Sequence, residues 1–431
     1  MKKNFIATLA FVVLSLSTYA QGLQRDLQFW RPYDQRGINI FETGKNDSVA
    51  FEGMKVRIGG HFTQQWQSLS HTNTASPVLN ANNVNLNQLI EIGSGTNLAT
   101  ANLNIDVALA DGLRLNMIAY LSSRHHPETW VKGGYLQVDK LTFLNVGNTD
   151  WFDKYLTLRV GHMQINYGDA QFRRTDNGNA IYNPFVGNYI MDAFTTEVGG
   201  ELFFQSNGWL ALAAITGGEI QGGVTRPNDR KPSFIGKFGY DKQLSDDLRV
   251  RLTGSIYTTS GSARNTLWGG DRAGSRYYLV MENTLATTAA NFTSGRFNPG
   301  QTNNITAFVV NPFIKFQGLE FFGNFEQSTG RAANETVDRT WNQLGLDLVY
   351  RFGRSEKYYV AGRYNEVNGP LAGSGLEVNM DRIQIGGGWF VTKNILAKLE
   401  YVSQNYAGFA ATDIRNGGRF NGIMIEGVIG F

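Results

Sequence analysis

Few residues in this chain are of a type and spacing that could do covalent chemistry. Of its five histidines, His61, His71, His125, His126 and His162, only the adjacent pair His125-His126 invites a metal reading. Neighbouring side chains on an extended strand point to opposite sides and no third ligand lies near in sequence, so no metal is expected there. The chain has no cysteine, which removes thiolate ligands, a thiol nucleophile and disulfide staples together. The motifs G-x-S-x-G, G-x-x-x-x-G-K-[ST], G-x-G-x-x-G and H-E-x-x-H do not occur, so neither an enzyme nor a cofactor is expected.

What recurs instead is charge collected on one side of short segments. Arg114, Arg159, Arg249, Arg251, Arg351, Arg363 and Arg382 fall on the polar face of their segments, with Arg57, Lys237, Lys315, Lys357 and Lys398. The acids on the same faces are fewer: Asp106, Glu197, Glu201, Glu320, Glu326, Asp347 and Glu400. The chemistry open to such a wall is electrostatic, a mild preference for anions. Mixed walls are also commonly plain solvated surface with local ion pairs. Because salt screens charges beyond roughly 8 Å, only groups at a constriction should select strongly. The candidate is the segment 166–192, which carries Arg173 and Arg174 with Asp169, Asp176, Tyr182 and Tyr189. Folded inward, that arginine pair would form a positive restriction opposite Glu197 and Glu201; left outside, it would be an exposed loop.

The elements that must hold these residues alternate with period two. In 101–109, Leu103, Ile105, Val107 and Leu109 oppose Asn102, Asn104 and Asp106, and an Asp111-Gly112 turn follows. The next segment sets Leu113, Leu115, Met117 and Leu121 against Arg114, Asn116 and Tyr120; Leu248, Val250, Leu252 and Ile256 likewise oppose Arg249, Arg251, Thr253 and Ser255. A helix would scatter these charges around a cylinder, whereas a strand gathers them on one side. About sixteen such segments follow from 54–68 to 420–431. They are separated alternately by short turns and by long loops at 69–98, 166–192, 218–231, 260–303 and 368–380. Two connections break this rule: 124–128 is short where a long loop is due, and 141–153 is long where a turn is due. One greasy and one wet face on every strand fits a transmembrane antiparallel β-barrel, whose closure leaves no unpaired sheet edge in hydrocarbon. The competing architecture is a secreted β-sandwich or propeller, but the strands are long and no blade repeat appears.

The chain ends agree. Lys2 and Lys3, the apolar run 5–16 and Ser17-Thr18-Tyr19-Ala20 compose a signal peptide, 1–20, with the mature chain starting at Gln21. Without those two lysines, 39 basic residues become 37 against 36 acidic ones, so binding of nucleic acid by bulk charge is not expected. No window approaches eighteen consecutive apolar residues, which excludes a helical inner-membrane protein. Glycine, at 50 of 431, exceeds its usual share of about 7% and suits tight turns. At the other end, steps of two back from Phe431 give Ile429, Gly427, Ile425 and Ile423.

That last strand resembles the C-terminal signal of Gram-negative outer-membrane proteins, departing from it only at Gly427. The resemblance implies recognition by the barrel-assembly machinery through Phe431, Ile429, Ile425 and Ile423. The mature chain as a whole resembles Gram-negative porins: its strand count is theirs, and Leu158-Arg159-Val160-Gly161-His162-Met163-Gln164-Ile165-Asn166-Tyr167-Gly168 is similar to a strand-to-loop passage of the phosphate-selective type. The Gln21 start and the Asn- and Gly-rich loops resemble porin-like proteins of the Bacteroidetes. These resemblances imply an outer-membrane pore in contact with lipid and lipopolysaccharide, passing small hydrophilic solutes, and compatible with a homotrimer. A substrate-specific channel with a plugged lumen, or an assembly or scaffolding barrel, stays open as an alternative.

Three features do not belong to the strand pattern. The segment 21–53 has poor alternation but carries Trp30, Tyr33 and Phe41, so an ordered segment is expected, either in the periplasm or inserted in the lumen ahead of a barrel over 54–431. The longest loop, 261–303, has aromatic patches (Trp268, Tyr277, Tyr278, Phe292, Phe297) that suggest a folded cap or a subunit contact. Trp66, Trp130, Trp151, Tyr155, Trp209, Trp341, Tyr401 and Phe431 lie near strand ends and are expected in the interfacial girdles.

Overall fold

The computed structural model describes residues 26–121, 129–220, 230–262, 264–270, 276–292 and 295–431. The signal segment 1–20 and the pair His125-His126 lie outside the described residues. One half of the wall is β1 (Lys55–Thr72), the two-residue β2 (Gly95–Thr96), β3 (Thr100–Ala110), β4 (Leu113–Leu121), β5 (Thr129–Val138), β6 (Leu156–Gln164), β7 (Thr196–Ser206) and β8 (Trp209–Thr216). The other half is β9 (Ser233–Gln243), β10 (Leu248–Thr259), β11 (Asn304–Phe316), β12 (Leu319–Arg331), β13 (Arg339–Phe352), β14 (Tyr358–Pro370), β15 (Glu377–Thr392), β16 (Ile395–Ala407) and β17 (Arg419–Gly430).

From β3 to β17 each strand pairs antiparallel with the next. β1 closes the ring, pairing with β3 on one side and with β17 on the other from His61↔Gly430 to Thr72↔Arg419. Setting aside the two-residue β2, this is a closed antiparallel barrel of sixteen strands. The seam ends on the C-terminal residue: Gly60 N–H donates to the Phe431 carbonyl (3.0 Å) and Phe431 N–H to the Gly60 carbonyl (3.1 Å). Gly60 has φ +153, and a Cβ there would sit 1.9 Å from the Asn102 carbonyl oxygen, so the close approach of β1 to β3 at this point requires glycine.

Alternation along the strands falls where the hydrophobic pattern puts it. Along β17 and the residue after it, Ile423, Ile425, Ile429 and Phe431 are 41–47% exposed on the outer face while Met424, Glu426 and Val428 are buried inside. No helix among the described residues is long and apolar enough to cross a membrane. The outward rows, Leu103, Val160, Leu202, Leu252, Leu348, Ile385 and Leu399 among them, are too extensive an apolar surface for water and form the belt that faces lipid. Below that belt, at the short-turn end, rings stack around the rim: Tyr155 on Phe204 (5.9 Å between centroids), Trp209 on Phe238 (5.5 Å), and Tyr350, Phe352, Tyr358 and Trp389 in succession. Lys357 lies with this girdle, its ammonium 5.7 Å from the Trp389 ring, and not on the inner wall as its register suggested. Trp341 differs the other way. It is fully buried inside the barrel, 4.6 Å from Phe297, because its parity on β13 is that of the inner face.

The long turn 139–155 owes its length to a short helix, α1 (Asp150–Tyr155), whose aspartates fill the first turn where the helix dipole favours them. Asp153 accepts from the Leu141 N–H at 2.7 Å and ties the turn together.

Candidate functional site

A sixteen-strand ring is wider than its wall side chains can fill. Here the chain fills much of the remainder with three of its own segments.

The first is the stretch ahead of β1. Trp30 Nε1 and the Tyr33 hydroxyl both donate to Asp106 (3.2 and 2.6 Å), which also accepts from Arg114 Nη1 (2.5 Å) and Asn116 (2.9 Å). Asn39 donates to Glu320 at 2.6 Å, and Glu42 accepts from Lys237 (3.0 Å) and Arg251 (2.7 Å). Phe41 packs between Phe172 and Phe313, with centroids 5.7 and 5.3 Å away. Rings with a polar tip suit this position, since the ring fills space and the tip satisfies a wall carboxylate.

The second is the segment 165–195, which folds inward and is almost wholly buried. A buried loop must satisfy its backbone polar groups without a ladder, and the wall supplies the partners. Ile190 N–H donates to Asn365 (2.6 Å), Met191 N–H to Gln343 (3.0 Å) and Val186 N–H to Glu400 (2.7 Å). Arg363, Arg382 and Lys398 donate to the carbonyls of Gly187 (3.0 Å), Asn188 (2.6 Å) and Ala180 (2.6 Å). Within the loop, the Asn188 amide clamps Thr175 by both its backbone groups at 2.8 Å.

The arginine pair is inside, but not opposite Glu197 and Glu201 as its inward folding suggested. Arg173 lies 3.5 Å from Glu320, also donates to Asn39, and has Phe313 and Phe322 rings 5.4 and 5.2 Å away. Arg174 forks onto Asp192 at 2.7 and 2.6 Å with the Phe194 ring 4.3 Å away. Burial alone would raise the Asp192 pKa, but the Arg174 and Arg296 guanidiniums hold it below 3.8. Glu201 pairs with Arg159 (3.1 Å), and Glu197 accepts from Tyr257 (2.8 Å) and Thr216. Arg173 instead meets β12 and Arg174 the loop's own Asp192, and the two acids already have partners on the wall.

The third segment is the longest loop, of which the described residues 265–268, 276–281 and 295–301 are mostly buried against the inner wall while 284–290 are largely exposed. Tyr277 donates to Glu400 at 2.6 Å, Trp268 Nε1 to Ser328 at 3.2 Å, and Phe297 covers Trp341.

The wall arginines are largely neutralised by this packing. Arg114 pairs with Asp106, Arg249 with Asp241 (2.8 Å), Arg251 with Asp169 (2.7 Å), Arg351 with Glu320 (2.7 Å) and Arg363 with Asp347 (2.6 Å). Arg382 instead donates to Gln404 (2.7 Å) and to loop carbonyls. Spaces remain between plug and wall among the described residues. A cavity of about 210 Å³ lies along β3 to β7, lined by Arg31, Arg114, Lys132, Arg159 and Asp176, by several rings and by asparagine amides. A mouth of about 490 Å³ at the short-turn end is lined by Asn39, Arg249, Lys315, Arg351 and Glu356. Among the described residues no group of three or more metal-ligating side chains comes together.

Sequence reasoning passed over Arg31, which belongs to a segment without strand register, and Asn188 and Gln343, which hold the inward loop. The asparagine-rich run 177–188 was the one available signal that this loop carries its own internal hydrogen bonds.

No protein-family model matches the chain, and no curated protein matches it. Solved structures do. OmpT, an outer-membrane protein of Vibrio cholerae folded in vitro, is similar at a TM-score of 0.51 and 11% identity over 89% of this chain and 99% of that one. Its trimer form gives 0.52 at 12% identity, over 88% and 100%. The anion-selective porin of Comamonas acidovorans gives 0.52 at 11% identity, also over 88% and 100%. With its lipid-facing belt and closed ring, the chain has the porin-like sixteen-strand barrel fold of outer-membrane proteins.

Proposed function

We propose that this protein is an outer-membrane channel for small hydrophilic solutes, narrowed by its own chain so that it passes a restricted set of them. The observation that carries the reading is the pairing of a porin-like barrel with a lumen occupied by three segments that are bonded to the wall. That arrangement favours the plugged, substrate-restricted channel over a wide general pore. The ion pairs along the wall leave only a mild anion preference, consistent with a lumen in which nearly every guanidinium has a carboxylate neighbour. One of the similar structures is an anion-selective porin, which supports a transport role over a catalytic one. Membrane lipid and lipopolysaccharide would meet the outer belt, the assembly machinery would read Phe431 and the isoleucine row of β17, and a homotrimer is the assembly that the trimeric neighbour suggests.

Solute entry into proteoliposomes tests this reading. Swelling rates should fall steeply across a series of neutral sugars from pentose to trisaccharide, and small anions should enter faster than cations of equal size. A shallow size dependence reaching beyond trisaccharides would indicate a wide pore, and no swelling with any solute would favour an assembly or scaffolding barrel.

A further inference from the structure

The cavity beside β3 to β7 is lined by four Lys and Arg side chains, one of which lacks a carboxylate. Three of its cations have their own carboxylates: Arg114 has Asp106 at 2.5 Å, Arg159 has Glu201 at 3.1 Å, and Lys132 pairs with Asp176. Arg31 does not. Its Nε donates to the Gly37 carbonyl and one Nη to the Phe172 carbonyl, both at 2.9 Å, and its guanidinium carbon lies 3.6 Å from the centre of the Tyr182 ring. Among the described residues no carboxylate pairs with it, and its second Nη has no protein partner. Every buried charge of this kind is costly unless something matches it. Burial, with Arg173 nearby, lowers its pKa to about 10, which still leaves it charged at neutral pH. The cavity therefore carries one uncompensated positive charge, fixed in place by two carbonyls and a ring.

The rest of the lining describes the other end of a ligand. Trp30, Tyr33, Phe41, Tyr135 and Phe172 supply ring surface, and Asn102, Asn104 and Asn116 supply amides. We infer that this cavity is a binding site for a small organic monocarboxylate with a flat apolar body, its carboxylate on Arg31 and its ring against the aromatic wall. The inference rests on the channel reading, of which it names the substrate class. A planar carboxylate matches a guanidinium in shape, and a single negative charge matches the single excess cation. A dianion such as phosphate would bring a second charge for which the cavity holds no unpaired partner.

Binding to the purified full-length protein in detergent micelles tests this without requiring transport. The probes are benzoate, benzyl alcohol and inorganic phosphate, measured by isothermal titration and by ligand-observed NMR. Benzoate should bind saturably, with benzyl alcohol and phosphate each at least about tenfold weaker, the value of one charge-assisted contact. Arg31→Gln should weaken benzoate by about tenfold or more, and Arg31→Lys, which keeps the charge and loses the fork, should fall between. Barrels that stay folded in unheated SDS serve as the integrity check, and the wild-type comparison needs no variant. Equal affinity for benzoate and benzyl alcohol, phosphate as tight as benzoate, or an Arg31→Gln barrel that binds benzoate normally would each overturn the assignment. Benzoate binding in a protein that moves no solute would sink the channel reading alone; solute flux without benzoate binding would sink this one alone.

Discussion

Replacing Arg174 with glutamate should open the lumen. Arg174 forks onto Asp192 at 2.7 and 2.6 Å and lies 3.6 Å from Asp176, all three side chains being buried in the inward loop. Removing one partner of a buried ion pair costs about 3–5 kcal/mol, because the other charge is left without a match. Arg174→Glu goes further, placing a third carboxylate against two that are already there. At about 1.4 kcal/mol per tenfold change, a loss of about 4 kcal/mol shifts the balance between the docked and released loop by roughly a thousandfold. The ring itself is held by strand ladders that do not involve Arg174, so the barrel should survive while its plug loosens. Single-channel recording in planar bilayers is the assay. Arg174→Glu should give larger and noisier openings than the wild type, and Arg174→Gln, which neutralises without reversing, should lie between them. A folded Arg174→Glu barrel with wild-type conductance would refute the reasoning, since the loop would then not depend on the pair said to fix it.

Acid should act on the same loop. Burial pulls the pKa of Asp176 and of Asp192 upward, but Lys132 and Arg174 at the first and Arg174 and Arg296 at the second bring both below 3.8. A group whose folded pKa is depressed stabilises above its unfolded value and loses that contribution as pH falls through the folded one. Conductance should therefore be steady from neutral pH down to about 4 and rise or become noisy below it; a flat response to pH 2 would contradict this. Trp341→Ala should cost about 3–5 kcal/mol by emptying a fully buried ring site against Phe297, seen as a lower temperature for loss of the SDS-resistant barrel; an unchanged temperature would argue against its inward placement. Deleting Phe431 removes the backbone pair with Gly60 at the seam as well as the terminal ring, so insertion into the outer membrane should fall while export to the periplasm continues.

The barrel was legible because its signal is redundant: each strand repeats the same two-residue alternation, and one misread boundary does not alter the ring. The registers of Arg114, Arg249, Arg251 and Arg363 followed from that alternation alone, and each side chain lies on the inner face. What fills the ring was not legible in the same way. The segment 165–195 has no ladder and no period, and its place depends on contacts such as Gln343 with Met191 and Arg382 with Asn188, which join residues more than 150 positions apart. Trp341 illustrates the boundary between the two. Its nearness to a strand end suggested a girdle, whereas its parity within β13 placed it inside, and in the structure parity prevails over position. The ion pairing of the wall was hidden for a related reason: alternation gives the face on which Glu320 lies, but not that Arg173 of the inward loop meets it there.

Thiol accessibility tests most directly whether the lumen is filled by the chain itself, because the natural chain has no cysteine to confuse the readout. Ala180→Cys lies in the inward loop with no exposed surface, whereas Ala372→Cys lies on an exposed connection between β14 and β15. In outer-membrane preparations, a bulky membrane-impermeant maleimide should label Ala372→Cys rapidly and leave Ala180→Cys unmodified until the barrel is unfolded. Equal labelling of the two would show the loop standing outside the ring, and the narrowed channel would give way to an open one.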